Sequence, residues 1–403
     1  MTATDAPRIV VLAGGVGGSK FVVGVREAAR RQWPDAAGGT RAEITVIANT
    51  GDDLWLSGLR LQPDVDSMIY ALAGVNDTER GWGRTGESER VAAELHAWGA
   101  GWPWFTLGDL DLGAHIARTG WLRDGASVTE VVARLASRWP LGVRLLPMTD
   151  AEVDTHVTTD HGRMHFQEWW TRHRASLPAQ SFDWPGVEHS APAPGVLEAI
   201  AAADVILFAP SNPVVSVGPI LTVPGIADAV RAASGTVVGV SPIIAGAPVR
   251  GMADACLAAV GIPATADAVG RHYGVRAARS LFDARGTTSE IAADTPRHPS
   301  SPRGVEPDLR SCAREGGVEP DLRSCAREVG AGGLLDAWLI GEEDAALAEV
   351  LEGEGLCAPV RPLWMRDLDT SARLAADALA VGLSAGPGHN DRVLHAAPTG
   401  QRS

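Results

Sequence analysis

The chain has 403 residues, 45% hydrophobic and 21% charged, with a formal net charge of −14 at pH 7. That length holds one large core or two modest ones, and the acidity excludes broad nucleic-acid binding while leaving room for an anionic ligand held by backbone donors, arginine or a bridging metal. Cys256, Cys312, Cys325 and Cys357 have neither C-x-x-C spacing nor disulfide-scaffold density. No basic-apolar leader precedes the first strand, and apolar runs such as 213–230 are broken by Pro and Gly, so reduced thiols, no membrane span and a cytoplasmic location are expected.

The first element is the β-branched run 9–13, which breaks into Gly14, Gly15, Gly17, Gly18 and Lys20 before a helical stretch over 21–31. Strand, glycine loop and helix in this order bring backbone N–H groups and the positive end of a helix dipole to one point, a natural seat for phosphate. A tight strand-to-helix turn is the alternative reading. The spacing is neither G-x-G-x-x-G nor a P-loop, so it names no cofactor.

A second strand, 43–48, runs into Asn49-Thr50-Gly51-Asp52-Asp53, and Pro63-Asp64-Val65-Asp66-Ser67 then opens a helical stretch that reaches Gly74. Four carboxylates in one connection, opposite a phosphate loop, point to oxygen ligation of Mg²⁺ and capture of a substrate hydroxyl. Asp64 and Asp66 also suit simple helix capping. Beyond them come helical stretches over 88–98 and 127–139. Between these lies Leu107-Gly108-Asp109-Leu110-Asp111, with His115 and Arg118 following at helical spacing. Asp109 and Asp111 suit a helix N-terminus, His115 a packing position, and Arg84 and Arg118 either anion contacts or solvated surface.

The segment 155–170 reads as a hairpin turning at Asp160-His161-Gly162, a small excursion from the main sheet. Its His156, His161 and His165 read as surface or packing histidines rather than zinc ligands. Trp169 and Trp170 read as core or interface residues, although 13 tryptophans against 2 tyrosines suit a planar ring ligand. Strand 205–209 leads into Pro210-Ser211-Asn212-Pro213, whose hydroxyl and amide can address a nucleotide or phosphate, without the G-x-S-x-G of a serine nucleophile. A helical stretch at 224–233 and a strand at 236–240 follow. Strands alternating with helices predict an α/β fold, Rossmann-like and doubly wound around a largely parallel sheet, with a small hairpin-containing excursion over about 151–190.

At 284–330 the composition turns to Pro, Arg, Ser, Glu and Gly, and GVEPDLRSCARE occurs twice, at 304–315 and 317–328. This is read as a flexible insertion in a single core formed by 1–283 and 331–385, with 386–403 a disordered tail.

In order along the chain, AGGVGGSKF (13–21), NTGDDLWLSGLRLQPDVDSMIYALAG (49–74), RGWG (80–83), LGDLDLGAHIART (107–119), LLPMTD (145–150), HFQEWW (165–170), APSNPVVSVGPIL (209–221), SPIIAGAPVRGMAD (241–254) and GRHYG (270–274) resemble a known family. These are the transferases of coenzyme F-420 biosynthesis, 2-phospho-L-lactate transferase in archaea and phosphoenolpyruvate transferase in actinobacteria. LLDAWLIGEEDAA (334–346) resembles the family's last core stretch. The resemblance implies transfer of a phosphoenolpyruvyl or 2-phospholactyl phosphate from a guanosine diphosphate-linked donor to the ribityl hydroxyl of 7,8-didemethyl-8-hydroxy-5-deazariboflavin, releasing GMP with Mg²⁺ as cofactor. It implies donor diphosphate at Gly14, Gly15, Gly17, Gly18 and Lys20, and Mg²⁺ or the acceptor hydroxyl at the catalytic pair Asp64 and Asp66. Guanosine nucleotide falls at Ser211 and Asn212, with Asn49, Asp53 and Asp109 as further contacts, and a homodimer is implied. HFQEWW and GRHYG lean toward the actinobacterial, phosphoenolpyruvyl branch.

The family's arginine is replaced by Leu110, which would weaken activity if that arginine touches substrate. The competing reading is a non-catalytic regulator of related fold that binds a nucleotide sugar. An NAD-dependent oxidoreductase ranks last, for want of the spaced glycine fingerprint.

Overall fold

The computed structural model describes residues 6–249, 251–276 and 332–384. The chain begins with β1 (Arg8–Ala13), α1 (Gly15–Gln32) and β2 (Glu43–Ala48), then a short ribbon of β3 (Leu54–Leu56) and β4 (Leu59–Leu61). Four helices follow, α2 (Pro63–Ala73), α3 (Arg90–Ala97), α4 (Asp109–Arg123) and α5 (Val128–Ala136), and then β5 (Arg144–Pro147). The excursion is β6 (His156–Thr159), β7 (Gly162–His165) and β8 (Ala179–Asp183), and the second half carries β9 (Val205–Phe208), β10 (Thr236–Val240), a small ribbon of β11 (Ile243–Ile244) and β12 (Ala247–Pro248), and β13 (Ala337–Leu339). A last helix spans Leu368–Ser384.

The main sheet has the order β13-β10-β9-β1-β2-β5, and every adjacent pair is parallel. Counting only its own strands this is 3-2-1-4-5-6 reversed, the doubly wound nucleotide-binding order. Strand β1 shows why the sheet is central: RIVVLA is β-branched, and Ile9, Val11 and Ala13 enter one hydrophobic core while Val10 and Leu12 enter the other. The first core carries α1, α2 and the last helix. The second carries Val196, Ile200, Phe208 and Trp338, together with Phe166, Trp169 and Phe182 of the excursion. The predicted hairpin is present with a two-residue turn, Thr159 pairing with Gly162, and β8 adds a third antiparallel strand to it.

Two sequence expectations shift. The helix after β1 starts at Gly15, six residues earlier than the apolar pattern at 21–31, because the glycines form its first turn instead of a loop. The edge strands β5 and β13, of four and three residues, fall within LLPMTD and LLDAWLIGEEDAA and are not expected as strands, because runs this short carry little periodicity of their own. Among the described residues no single helix is long and apolar enough to cross a membrane. The insertion at 284–330, with Cys312 and Cys325, and the tail at 386–403 lie outside the described residues; Cys256 and Cys357 are free thiols.

Candidate functional site

Strand order reverses between β1 and β9, and there the carboxyl ends of the strands open a crevice, as doubly wound sheets require. A cavity of about 520 Å³ fills it. Gly14, Gly15 and Gly17 at the start of α1 line one wall, with Pro210, Ser211, Asn212 and Ser216 from the β9 exit beside them. Asp52, Asp64, Asp66, Asp111 and His115 also line the cavity, as do Trp82, Trp104, Phe105 and Trp170.

The glycines are there because backbone elements approach closely. A Cβ on Gly14 would lie 2.5 Å from Asp64 Oδ2 and 2.9 Å from the Cβ atoms of Asn49 and Ser216; one on Gly17 would meet the Pro210 carbonyl at 2.9 Å, and one on Gly18 the Ser211 hydroxyl at 2.5 Å. Gly15 alone has a left-handed backbone, φ +66°. Ser211 pins the two strand exits together: its hydroxyl donates to the Gly14 carbonyl at 2.7 Å and accepts from the Gly14 N–H at 3.3 Å. Asn212 Oδ1 accepts from Val214 N and Val215 N, capping the helical turn Pro213–Val217.

Helix α1 has no acidic residue in its first turn, and that place is taken from α2. Asp64 accepts the Gly15 N–H and the Asn49 side-chain amide, the latter at 2.9 Å. Burial pushes Asp64 up to about 6 despite these two bonds. Burial, then the charge of Asp64, pushes Asp52 well above the ordinary carboxylate range, and Asp52 Oδ1 is buried with no hydrogen-bond partner. Two desolvated carboxylates with one orphaned oxygen form an all-oxygen donor set of the kind a hard divalent cation takes, so the residues fit Mg²⁺.

Asp66 lies two residues on in α2 and is therefore rotated about 200° around the helix. It pairs with Arg118, which is fully buried, and its Oδ2 lies 3.6 Å from His115 Nδ1. Asp111 accepts the Tyr70 hydroxyl at 2.6 Å. Burial works against ionisation of Asp111, but His115, the Tyr70 hydroxyl and the Arg118 charge together hold it below its ordinary value. Asp64 and Asp66, the pair expected from sequence, both reach the cavity, Asp64 beside Asn49 and Asp52 and Asp66 beside Arg118 and His115.

Other expected contacts fall elsewhere. Asn49 is buried and spent inside the protein, donating to Asp64 and the Val215 carbonyl and accepting from Gly51 N. Asp53 faces Gln62 and Arg60 instead of the cavity, Lys20 is exposed, and Gly18 packs under Ser211. Asp109 turns outward, accepting from the Ser88 hydroxyl at 2.5 Å and from Val91 N at 3.1 Å. Arg84 lies over the rings of Tyr70 and Trp139. Leu110 is 44% exposed and is not among the residues lining the cavity. Of the excursion's tryptophans, Trp169 is core and Trp170 reaches the cavity. Trp82 falls in the RGWG segment, whereas Trp104 has no local signal beyond the excess of tryptophan and Phe105 has none. Trp104 stacks on Trp102 with ring centres 4.5 Å apart and meets Phe105 edge-on.

A Rossmann-type sheet with an anion-compatible helix start, clustered carboxylates and cavity-lining aromatic rings defines a doubly wound α/β protein with a candidate site at its switch point. The chain belongs to the family described as 2-phospho-L-lactate transferase CofD, whose model matches residues 9–300, which places it among transferases. It is 44% identical over 376 residues to the phosphoenolpyruvate transferase of Streptomyces griseus, covering 92% of this chain and 97% of that protein. To the phosphoenolpyruvate transferase of Thermobifida fusca it is 53% identical over 271 residues, 66% of this chain and 83% of that one. A crystal structure of a Bacillus halodurans protein superposes with a TM-score of 0.51 at 16% identity, covering 93% of this chain and 100% of that one, a likeness of fold alone.

Proposed function

We propose that this protein transfers a phosphoenolpyruvyl phosphate from a guanosine diphosphate-linked donor to the terminal ribityl hydroxyl of 7,8-didemethyl-8-hydroxy-5-deazariboflavin, in coenzyme F-420 biosynthesis. The acceptor oxygen bonds to the phosphorus that carries the enolpyruvyl group, the diphosphate P–O bond breaks, and GMP leaves. The observation that carries this reading is one cavity joining a glycine-lined helix start and buried carboxylates to an aromatic wall. Phosphodiester formation of this kind needs positioning and charge neutralisation and no covalent nucleophile.

In this reading Gly14, Gly15 and Gly17, with Ser211 and Asn212 beside them, hold the donor's diphosphate where the α1 dipole favours negative charge. Asp52 and Asp64 hold Mg²⁺, which when bound neutralises phosphate charge. Trp82, Trp104, Phe105 and Trp170 enclose the planar ring system. The relatives named phosphoenolpyruvate transferase favour that donor over the phospholactyl one. Pairs of carboxylates this costly to bury are better explained by transfer chemistry than by the binding of a regulator.

The test is a mass-spectrometric assay of purified protein with the acceptor, Mg²⁺ and each guanosine-linked donor in turn. The phosphodiester and GMP are expected with the phosphoenolpyruvyl donor. Donor binding with no product from either donor would overturn the reading.

A further inference from the structure

We propose that Arg80 is a specificity residue of this cavity and reads the carboxylate of the three-carbon group that the donor carries. The inference rests on the transferase reading for the identity of that carboxylate and goes beyond it in assigning a residue to the carboxylate.

The charge of the cavity sets the problem. Its lining side chains include Asp52, Asp64, Asp66 and Asp111, and among the described residues Arg80 is the one arginine or lysine set against them. Nearby arginines are already engaged: Arg118 pairs with Asp66, Arg60 with Asp154, and Arg84 lies over the rings of Tyr70 and Trp139. A donor with a diphosphate and a carboxylate brings several negative charges into this acidic space. In the proposed function its phosphates meet the start of α1 and Mg²⁺, which leaves the carboxylate without a counterpart.

Arg80 has the geometry to supply one. It sits on a loop closed by an antiparallel bridge between Asn76 and Arg84, and Asp77 ties the tip, its Oδ1 accepting from Glu79 N and Arg80 N at 2.9 Å each. The guanidinium is then held at two places: Nη1 lies 2.9 Å from Glu89 Oε1, and the central carbon lies 5.3 Å from the centre of the Trp82 ring. Its side edge stays open. Nη2 has no partner among the described residues, and the acid nearest Nε, Asp77 Oδ2, is 3.8 Å away, beyond hydrogen-bond range. Nε–H and Nη2–H are the parallel pair that grips a carboxylate with two hydrogen bonds. Arg30 of this protein grips Glu27 through the same two atoms, at 2.7 Å each. A guanidinium already restrained on its other sides loses little freedom when that edge takes a ligand. Phosphate fits the same fork, so phosphate is the rival to answer. Phosphoenolpyruvyl and phospholactyl groups both carry the carboxylate, so Arg80 separates carboxylated donors from other nucleotides and does not choose between these two.

The experiment is calorimetry on the full chain with Mg²⁺, comparing the phospholactyl-linked donor with GDP carrying an isopropyl ester on its terminal phosphate, which is the same molecule with methyl in place of carboxylate. Wild type should bind the carboxylated compound about tenfold or more tighter. Arg80→Gln should bind both alike, near the wild-type affinity for the ester. Arg80→Lys keeps the charge without the fork and should recover only part of the difference. In turnover Arg80→Gln should raise the donor KM about tenfold and leave the acceptor KM unmoved. Equal affinity of the wild type for the two compounds would overturn the assignment without recourse to any variant. Equal weakening of both compounds in Arg80→Gln would put a phosphate on the fork, and a rise confined to the acceptor KM would put the acceptor there; either overturns it. Carboxylate selectivity that depends on Arg80, with no product from any donor, would sustain the assignment and remove the transferase reading. Product from Arg80→Gln at the wild-type donor KM would keep the transferase and remove Arg80.

Discussion

Asn49 Nδ2 donates to Asp64 Oδ2 at 2.9 Å, tying the exit of β2 to the first turn of α2 directly beneath Gly14. The bond favours the ionised form of a carboxylate that burial has already moved up to about 6. Metal binding to Asp64 requires that form. Apparent Mg²⁺ affinity of the wild type should therefore weaken as pH falls through about 6. Asn49→Ala removes the donor, so the same loss should begin about one unit higher. Calorimetric Mg²⁺ titrations across pH read this directly, and identical curves for the two proteins would show that Asn49 does not tune Asp64.

Neutralising Asp64 and neutralising Asp66 should have opposite characters, although the two residues are separated by one position. Asp64→Asn removes a raised, poorly solvated carboxylate and keeps an acceptor for Gly15 N–H, so folding should hold or improve while turnover falls by about 100-fold or more. Asp66→Asn leaves the guanidinium of Arg118, fully buried, without its ion partner, and breaking a buried pair costs about 3–5 kcal/mol. Thermal melts beside kinetics separate the two: a folded, stable Asp66→Asn variant would contradict the pairing.

This contrast marks how far the sequence could be read. Strand β1, the Asp64/Asp66 helix and the Ser-Asn turn after β9 are legible, because β-branched runs, helix-opening Pro63 and a Pro-flanked turn are local signals, whereas the start of α1 at Gly15 is not, since glycines read as a loop. What was not legible is direction. Asp53 and Asp109 have the composition of ligands, yet one turns to Gln62 and the other to Ser88. Asp52 has no local mark that sets it apart from Asp53, because only the packing of β2 against α2 sets it beside Asp64. His115 reads as a packing residue until α4 brings it against Asp66 and Arg118, a relationship between elements about 50 residues apart. The family resemblance supplied the transferase, but the division of its carboxylates into two clusters came from three-dimensional structure alone.

Asp53 predicts the pH dependence of stability. Burial outweighs the Arg60 charge and the Gln62 bond and moves Asp53 up to about 8. In the unfolded chain it titrates near about 3.9. Between these values the native state binds more protons than the unfolded state, so stability falls as pH rises from about 4 to about 8. Asp52 and Asp64 act in the same direction. Asp53→Asn abolishes one contribution while Arg60 keeps Asp154 at 2.9 Å. Metal-free protein should lose Tm between about pH 6 and about pH 8, and Asp53→Asn should lose visibly less. Parallel slopes would mean that Asp53 is ionised throughout.

Neighbouring glycines at the start of α1 should differ in what an alanine does to them. At Gly15 the cost is conformational: φ is +66°, and the added Cβ has only the Ser216 hydroxyl within reach, at 3.8 Å. That is about 1–2 kcal/mol of strain, with the pocket intact. At Gly14 the backbone is extended, so alanine meets no torsional objection there, but its Cβ would sit 2.5 Å from Asp64 Oδ2 and 2.9 Å from both Asn49 and Ser216. Relief requires moving β2's exit, α2 or the turn after β9, and each of these carries a wall of the cavity. Gly14→Ala should therefore cost about 1–3 kcal/mol in stability and, unlike Gly15→Ala, lower Mg²⁺ affinity along with turnover, because Asp64 is the first group displaced. Measuring Tm and Mg²⁺ binding for both variants decides the matter. Undisturbed Mg²⁺ binding in Gly14→Ala would mean that Asp64 yields without consequence, and the assignment of the metal to Asp52 and Asp64 would fall.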